Sequence, residues 1–472
     1  MFVSYIQTLK NILLNYRFQY TLSEHISLFL TNSQLFNIFW NATIIDKIRQ
    51  NIILKDGIYY FDWTASGLGY IPIEDEIRRM LQTYANTHSE CSECSNITTN
   101  YYENARAGIK RLLRLQSDFL LLPCGQGSSA AIKKFQEIMG IYIPPATKIA
   151  LNIEFDSIKK SLPLVIVGPY EHHSNEISYR TGMCEVVRIP LARDGGLHWG
   201  ELDKILKINA NRKIIISISA ASNVTGIKTN LAMLNAAAKR YGAIIAVDAS
   251  SLIAYENVDS SLCDAIFISP HKLLGGVGSC GILAIRKSLF SSNLPTFSAG
   301  GTVGYVSKKS IHYLEDIEQI EDAGTPAITQ LVRAYFAFEL RNRVGLEFIN
   351  EQKTLLMDKF ELGLSNIKGV IDYAPKNLER LAIFAFNIKG ISPFDLAQVL
   401  SKKFGIQSRA GCSCAGPYGH DLLGLKDDEP LSFKPGWLRV SLHWSHSLDD
   451  VDYLLNAIGQ ARKDLIENLV LI

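Results

Sequence analysis

Little in the sequence signals an unusual environment. Its 8 cysteines are scattered over 472 residues, which excludes the dense disulfide framework of a small secreted domain and favours a reducing compartment, the cytoplasm being expected. Neither charge sign is in excess. The 48 lysines and arginines face 46 acids, and a net charge of +2 leaves no electrostatic footprint for nucleic acid. Long apolar runs are missing too, since "LPLVIVGPY" and "KIIISISA" have the length of buried strands rather than of a membrane span. There is no internal repeat and no low-complexity tract. Residues 1 to 23 contain no acid but do contain Lys10 and Arg17, a faint likeness to an organellar presequence. What remains, 47% hydrophobic and 20% charged, has the balance of a large globular enzyme.

Strand-like runs alternate with helical periods from about residue 58 to 290, the pattern of parallel βαβ units. In "KIIISISAAS", "LAMLNAAAKRYG" and "AIIAVDASS" one such unit reads as strand, helix, strand. Functional residues of such units gather at the carboxyl ends of the strands. From about 326 to 362 a charged amphipathic stretch predicts a long helix bridging to another domain. Beyond it, "RLAIFAFNIKG" and "GWLRVSLHW" read as strands, and "SPFDLAQVLSKKFG" as a helix with a Ser cap and Pro in its first turn. The expected layout is α/β: an N-terminal helical extension over 1–56, a large domain over 57–340 and a smaller α+β domain over 341–472.

Four stretches carry chemistry. "IFISPHKLLGGVGSCG" sets Lys272 directly after an apolar strand, where desolvation lowers an amine pKa and suits it to a Schiff base; most such lysines are simply solvated. Asp248 ends "AIIAVDAS", and a carboxylate there needs a cationic partner such as a pyridinium nitrogen, or else caps a helix. "PCGQGSSAAIKKF" offers Ser128 and Ser129 with free amides at a helix start, for a phosphate or for plain capping. In "GPYEHHSNEISYR", His172 and His173 follow a strand, where a flat imidazole can stack on an aromatic cofactor, or face solvent, or sit hydrogen-bonded in the core.

Together, "GQGSSAA", "EHHSN", "SNVTG", "VDAS", "SPHKLLGGVGSCG", "AGTP" and "RAGCSC", in this order, resemble the class V aminotransferase family of fold-type I pyridoxal-phosphate enzymes. The likeness is to its cysteine desulfurase and selenocysteine lyase branch, and it covers roughly residues 57 to 460. It implies pyridoxal 5'-phosphate bound to Lys272, with a large, mostly parallel sheet domain covered by helices. Asp248 matches the carboxylate on the ring nitrogen and His172 the stacked imidazole. Asn223 matches the amide near the ring hydroxyl and the substrate carboxylate. Ser128, Ser129, Ser269 and His271 match the phosphate cradle, and Thr325 reaches the phosphate of a neighbouring protomer in this family, so a homodimer with shared sites is implied. Arg439 corresponds to the arginine that grips the α-carboxylate of an amino-acid substrate, with Arg409 a second candidate.

Cys414, five residues after Arg409, falls where the desulfurase branch has its nucleophile. The resemblance implies that its thiolate takes sulfur or selenium from L-cysteine or a related amino acid as a persulfide, leaving alanine, with an acceptor protein as a further partner. Three features depart from the family. Ser251 stands where a glutamine bonds the ring oxygen, "HWSHS" replaces the usual residues after the carboxylate arginine, and "PYGHDLLGLKDDEPLSFKP" is inserted after Cys414. Other readings of the cysteines stay open. Cys91 and Cys94 with Cys412 and Cys414 would make four thiolates for zinc, but C-x-C is a poor chelating half and no metal is expected. A Cys412–Cys414 disulfide would be strained, whereas in an extended chain both thiols share one face, so Cys412 could accept sulfur or resolve an oxidised Cys414. They could also be inert filler. The competing functions are an aminotransferase, epimerase or β-lyase on another amino acid, or a non-catalytic binding protein.

Overall fold

The computed structural model describes residues 43–87, 91–152, 158–375, 377–426 and 436–470. The 1–23 segment, most of the N-terminal extension and residues 427–435 of the insertion lie outside them. No described helix is long and apolar enough to cross a membrane.

The apolar runs of the first half become β1 (Phe119–Cys124), β2 (Leu164–Val167), β3 (Glu185–Arg188), β4 (Ile214–Ser219), β5 (Ile244–Asp248), β6 (Ala265–Ile268) and β7 (Gly281–Arg286). They form one seven-stranded sheet in the order β1-β7-β6-β5-β4-β2-β3. Neighbours from β6 to β3 are parallel, and only β7 runs against both of its partners. The central strands, β4 to β6, are rich in Ile, Val and Ala and almost wholly buried, as strands covered on both faces must be. The unit read from "KIIISISAAS" onward is present, with β4 and β5 adjacent and Ser219 opposite Asp248. β1 runs parallel to β6, because each is antiparallel to β7. The carboxyl ends of β1, β2, β4, β5 and β6 therefore share one edge of the sheet.

In chain order the helices that matter here are α1 (Glu93–Leu112), α2 (Gly127–Ile138), α3 (Leu231–Lys239), α4 (Ile328–Val344), α5 (Leu346–Ser365), α6 (Pro393–Phe404), α7 (Gly416–Leu423) and α8 (Leu448–Val470). Ser392 caps α6 as its sequence predicts, accepting from the Phe394 and Asp395 amides. The smaller sheet is antiparallel, in the order β8 (Val370–Asp372), β9 (Ile383–Ile388), β11 (Trp437–Ser441), β10 (Arg409–Gly411). Its core joins Phe384 and Phe386 of β9 to Leu356 and Phe360 of α5, Leu396 and Leu400 of α6, and Leu454 and Ile458 of α8.

Three expectations change. The stretch from 326 to 362 is two helices, broken at Gly345, whose φ of +94° is one that side-chain-bearing residues avoid. α4 packs on the large core, and α5 starts there with Ile349 before joining the small core through Leu356, Phe360 and Leu364. Residues 59–62, assigned by sequence to the large domain, join the small one: Tyr59–Tyr60 pairs in parallel with Ile406–Gln407, Asp62 bridges Ser441, and Phe61 enters the small core. The described end of the extension is not wholly helical. After a short helix, Thr43–Arg49, the β-branched pair Ile52–Ile53 forms a strand against Gly69–Tyr70.

Candidate active site

A cavity of about 750 Å³ opens at the shared strand edge, between the two sheets. Its floor comes from the large domain. Asp248, 5% exposed at the end of β5, accepts from the Ser250 amide at 2.9 Å and its hydroxyl at 2.5 Å. Lys272 follows β6 in a tight turn, its amide bonded to the Ser269 carbonyl at 3.1 Å. Burial pushes the Lys272 ammonium down to about 8, with Asp248 opposing that shift and Arg439 adding to it. His172 lies beyond β2. Burial, then the Lys272 charge, depresses it to about 4, and its Nδ1 accepts from the Ser174 amide at 3.1 Å, so the neutral ring carries its proton on Nε2.

At one end of the floor the N-terminus of α2 opens into the cavity, presenting Gly127, Ser128 and Ser129. Ser269 Oγ accepts from the Ser128 amide at 2.8 Å and lies 3.2 Å from Ser250 Oγ. His271, depressed to about 4 by burial and by Lys272, completes this end. Gly127 has φ of +56°, and a Cβ on it would stand 3.3 Å from Ser269 Oγ and 3.5 Å from His271 Nε2. The cradle thus leaves backbone open where a phosphate needs it. With a carboxylate, an amine and a flat neutral imidazole grouped beyond it, these residues fit pyridoxal phosphate.

The opposite wall belongs to the small domain. Arg439 on β11 and Arg409 on β10 are paired in register. Arg439 is 2% exposed; its Nη1 donates to the Asn223 carbonyl at 2.9 Å and its Nη2 to Asp62 Oδ1 at 2.8 Å, while its Nε has no partner among the described residues. Arg409 donates to Asp62 Oδ2 from Nε at 3.0 Å and approaches it with Nη2 at 2.9 Å. Asn223 Oδ1 is likewise buried without a described partner, an open acceptor beside the arginines.

The cysteine loop closes this wall. Ser413 and Cys414 adopt φ of +53° and +59°, a left-handed turn costing on the order of 1 kcal/mol per residue. Three contacts hold it: Asn223 Nδ2 donates to the Ser413 carbonyl at 2.7 Å, the His173 amide to the Cys414 carbonyl at 2.8 Å, and the Gly416 amide, opening α7, to His173 Nε2 at 2.8 Å. Cys414 is exposed and lines the cavity. Cys412 does not, because the turn sends it into the apolar cluster of Tyr170, Val224, Tyr418 and Trp437. The shared face expected of an extended chain is therefore absent. Cys91 and Cys94 sit exposed at the start of α1, and no metal-binding group forms among the described residues.

Of the residues singled out from sequence, Lys272, Asp248, His172, Asn223, Ser128, Ser129, Ser251, Ser269, His271, Arg409, Arg439 and Cys414 all line the cavity. Thr325 does not; it is exposed, and its hydroxyl accepts from Asn86 Nδ2 at 3.3 Å. "HWSHS" is core: His443 stacks on Trp63 with ring centroids 3.7 Å apart, and His446 Nε2 lies 3.0 Å from the Tyr60 carbonyl. Sequence reasoning missed Asp62 and Glu171. Glu171 is 1% exposed and accepts from the Ser219 amide at 2.9 Å, the Ser219 hydroxyl at 2.7 Å and Asn175 Nδ2 at 2.7 Å, tying the His172 loop to the end of β4. Burial pushes it up to about 7. The acid opening "EHHSN" was the available signal, overshadowed by the histidines after it.

The class-V aminotransferase family model matches residues 136–454. A probable cysteine desulfurase of Pyrococcus abyssi is 27% identical over 430 residues, covering 89% of this chain and 98% of that one. One of Staphylococcus aureus is 25% identical over 411 residues, covering 86% and 92%. The apo structure of the cysteine desulfurase from Thermococcus onnurineus NA1 is similar with a TM-score of 0.75 and 26% identity, covering 89% of this chain and 98% of that one. The Escherichia coli cysteine desulfurase CsdA shares the fold, with a TM-score of 0.72, 22% identity and coverage of 90% and 99%.

Proposed function

The chain belongs to the aminotransferase class-V family, and from that premise we propose that it is a pyridoxal-phosphate-dependent cysteine desulfurase that moves sulfur, or selenium, from L-cysteine or a related amino acid onto Cys414, leaving alanine. One observation carries this reading: Cys414 faces the same cavity as Lys272, Asp248 and the two arginines. The bound cofactor supplies an electron sink for the substrate's α-carbon. Each side chain then has a defined task. Lys272, with its ammonium near 8, offers a neutral amine to hold the cofactor and afterwards moves the substrate α-proton. Asp248 keeps a proton on the ring nitrogen, and neutral His172 presents a flat face without adding charge.

Arg439 takes the α-carboxylate, aided by the second N–H of Asn223 Nδ2, whose first goes to the Ser413 carbonyl. Cys414, as thiolate, attacks the substrate sulfur. An S–S bond forms, the C–S bond breaks, and its electron pair passes to the substrate carbon, which takes up a proton to become the alanine methyl. The persulfide then goes to an acceptor protein. Thr325, exposed and away from its own cavity, supports a homodimer in which it serves the neighbour's phosphate site. The cytoplasm suits a reactive thiol. The test is to load the protein with the cofactor, add L-cysteine and a reductant, and measure alanine and sulfide: both should form in equal amounts, and Cys414→Ser should form neither. Sulfide with pyruvate in place of alanine, undiminished in that variant, would instead favour a β-lyase in which the loop cysteine has no part.

A further inference from the structure

Asp62 lies behind both arginines, 7% exposed, where its segment bridges Ser441 at the end of β11. Its carboxylate serves both: Oδ1 accepts from Arg439 Nη2 at 2.8 Å and from Arg409 Nε at 3.3 Å, and Oδ2 from Arg409 Nε at 3.0 Å. It does not line the cavity, although Thr64 and Ala65 just after it do. Two guanidinium charges and one carboxylate leave a net charge of +1 at this wall. A single α-carboxylate neutralises that charge.

We propose that Asp62 is a specificity-determining positioning residue: by consuming one of the two arginine charges, it limits the site to amino acids carrying one carboxylate. The inference rests on the reading that Arg439 grips the substrate. A second carboxylate on the substrate side chain would meet an Arg409 that is half exposed and already engaged by Asp62, and would lie close to the carboxylate of Asp62 itself. Like-charge repulsion from Asp62, with Arg409 already paired, is an effective route to specificity. A purely structural Asp62 would act differently. Its loss would loosen Arg439 and weaken every amino acid alike.

The test uses the cofactor-loaded protein and reads binding, by the change in the cofactor's absorption, for L-alanine against L-aspartate. Wild type should favour L-alanine. In Asp62→Asn, which frees Arg409, the ratio of the two dissociation constants should shift toward L-aspartate by about tenfold or more. Asp62→Glu keeps the charge and should keep the wild-type ratio. Asp62→Ser is a second neutral variant should Asn fail to fold, and the same ratio decides. An unchanged ratio in the neutral variants, or loss of discrimination in the Glu variant as well, overturns the proposal. If wild type binds the cofactor but neither amino acid alters its spectrum, the fault lies in the carboxylate-grip reading, and the inference falls with it.

Discussion

The floor of the cavity is rigid strand-end structure, whereas the wall facing it hangs on a strained loop and a shared carboxylate. On the floor, Asp248, Lys272 and His172 sit at the ends of buried parallel strands, and burial itself tunes them: the amine is driven down to about 8 and the imidazole to about 4. On the wall, Arg409 and Arg439 are held by a carboxylate from a different part of the chain, and Cys414 sits in a left-handed turn fixed by three hydrogen bonds. The difference separates two jobs. Under the proposed function the floor holds one cofactor in one pose, and the wall admits a substrate and delivers a thiol to it.

If the division is real, breaking each half should give different losses. The largest expected effect is at the floor: Lys272→Ala should abolish the bound cofactor's absorption band and lower sulfur release by roughly a thousandfold or more. Removing the wall's thiol with Cys414→Ser should leave that band intact while sulfur release falls by roughly a hundredfold or more. A C414S protein without the band would mean that the halves are not independent. The amine also gives a pH signature. Cofactor capture by the apo-protein should rise with pH and level off above about 8, because the neutral amine reacts. Asp248 holds that value up, so Asp248→Asn should move the midpoint to lower pH.

Next in size is Glu171. Its native pKa, near 7, lies above the ordinary 4.5, so between these values the folded state binds more protons than the unfolded and stability falls as pH rises. The loss is complete above about pH 7 and amounts to roughly 3 kcal/mol. Urea unfolding from pH 4.5 to 8 should therefore show Glu171→Gln gaining on wild type as pH rises. A constant gap would place the charge of Glu171 elsewhere. The smallest effect is expected at the latch: His173→Ala removes one hydrogen bond, about 1 kcal/mol, and should raise alkylation of the Cys414 peptide roughly fivefold without changing cofactor uptake.

The same division marks what was legible in the sequence. Lys272, Asp248 and His172 stand out because each follows an apolar strand, although each has a plainer reading taken alone and only their occurrence together tips it; the strand edge gathers them whatever the loops do. Arg409, Arg439 and Cys414 needed the family resemblance, since a strand arginine or a loop cysteine has a plainer reading by itself. Asp62 and Glu171 escaped notice because they act through other side chains from segments far away in sequence; only the fold brings Asp62 to Arg439. For Cys412 the structure favours the apolar-filler reading over the shared face that an extended C-x-C would give. Two successive left-handed residues turn it away, and neither Ser413 nor Cys414 advertises such backbone. The helix break at Gly345 had a visible cause, but the amphipathic period runs through it.

The central claim is that floor and wall meet in one reaction at Cys414, and the most direct measurement is the mass of the Cys414 peptide after the cofactor-loaded protein is mixed briefly with L-cysteine and quenched without reductant. One added sulfur on Cys414, with an equal amount of alanine, and neither in Lys272→Ala, is the predicted result. Alanine formed while Cys414 stays unmodified would contradict it.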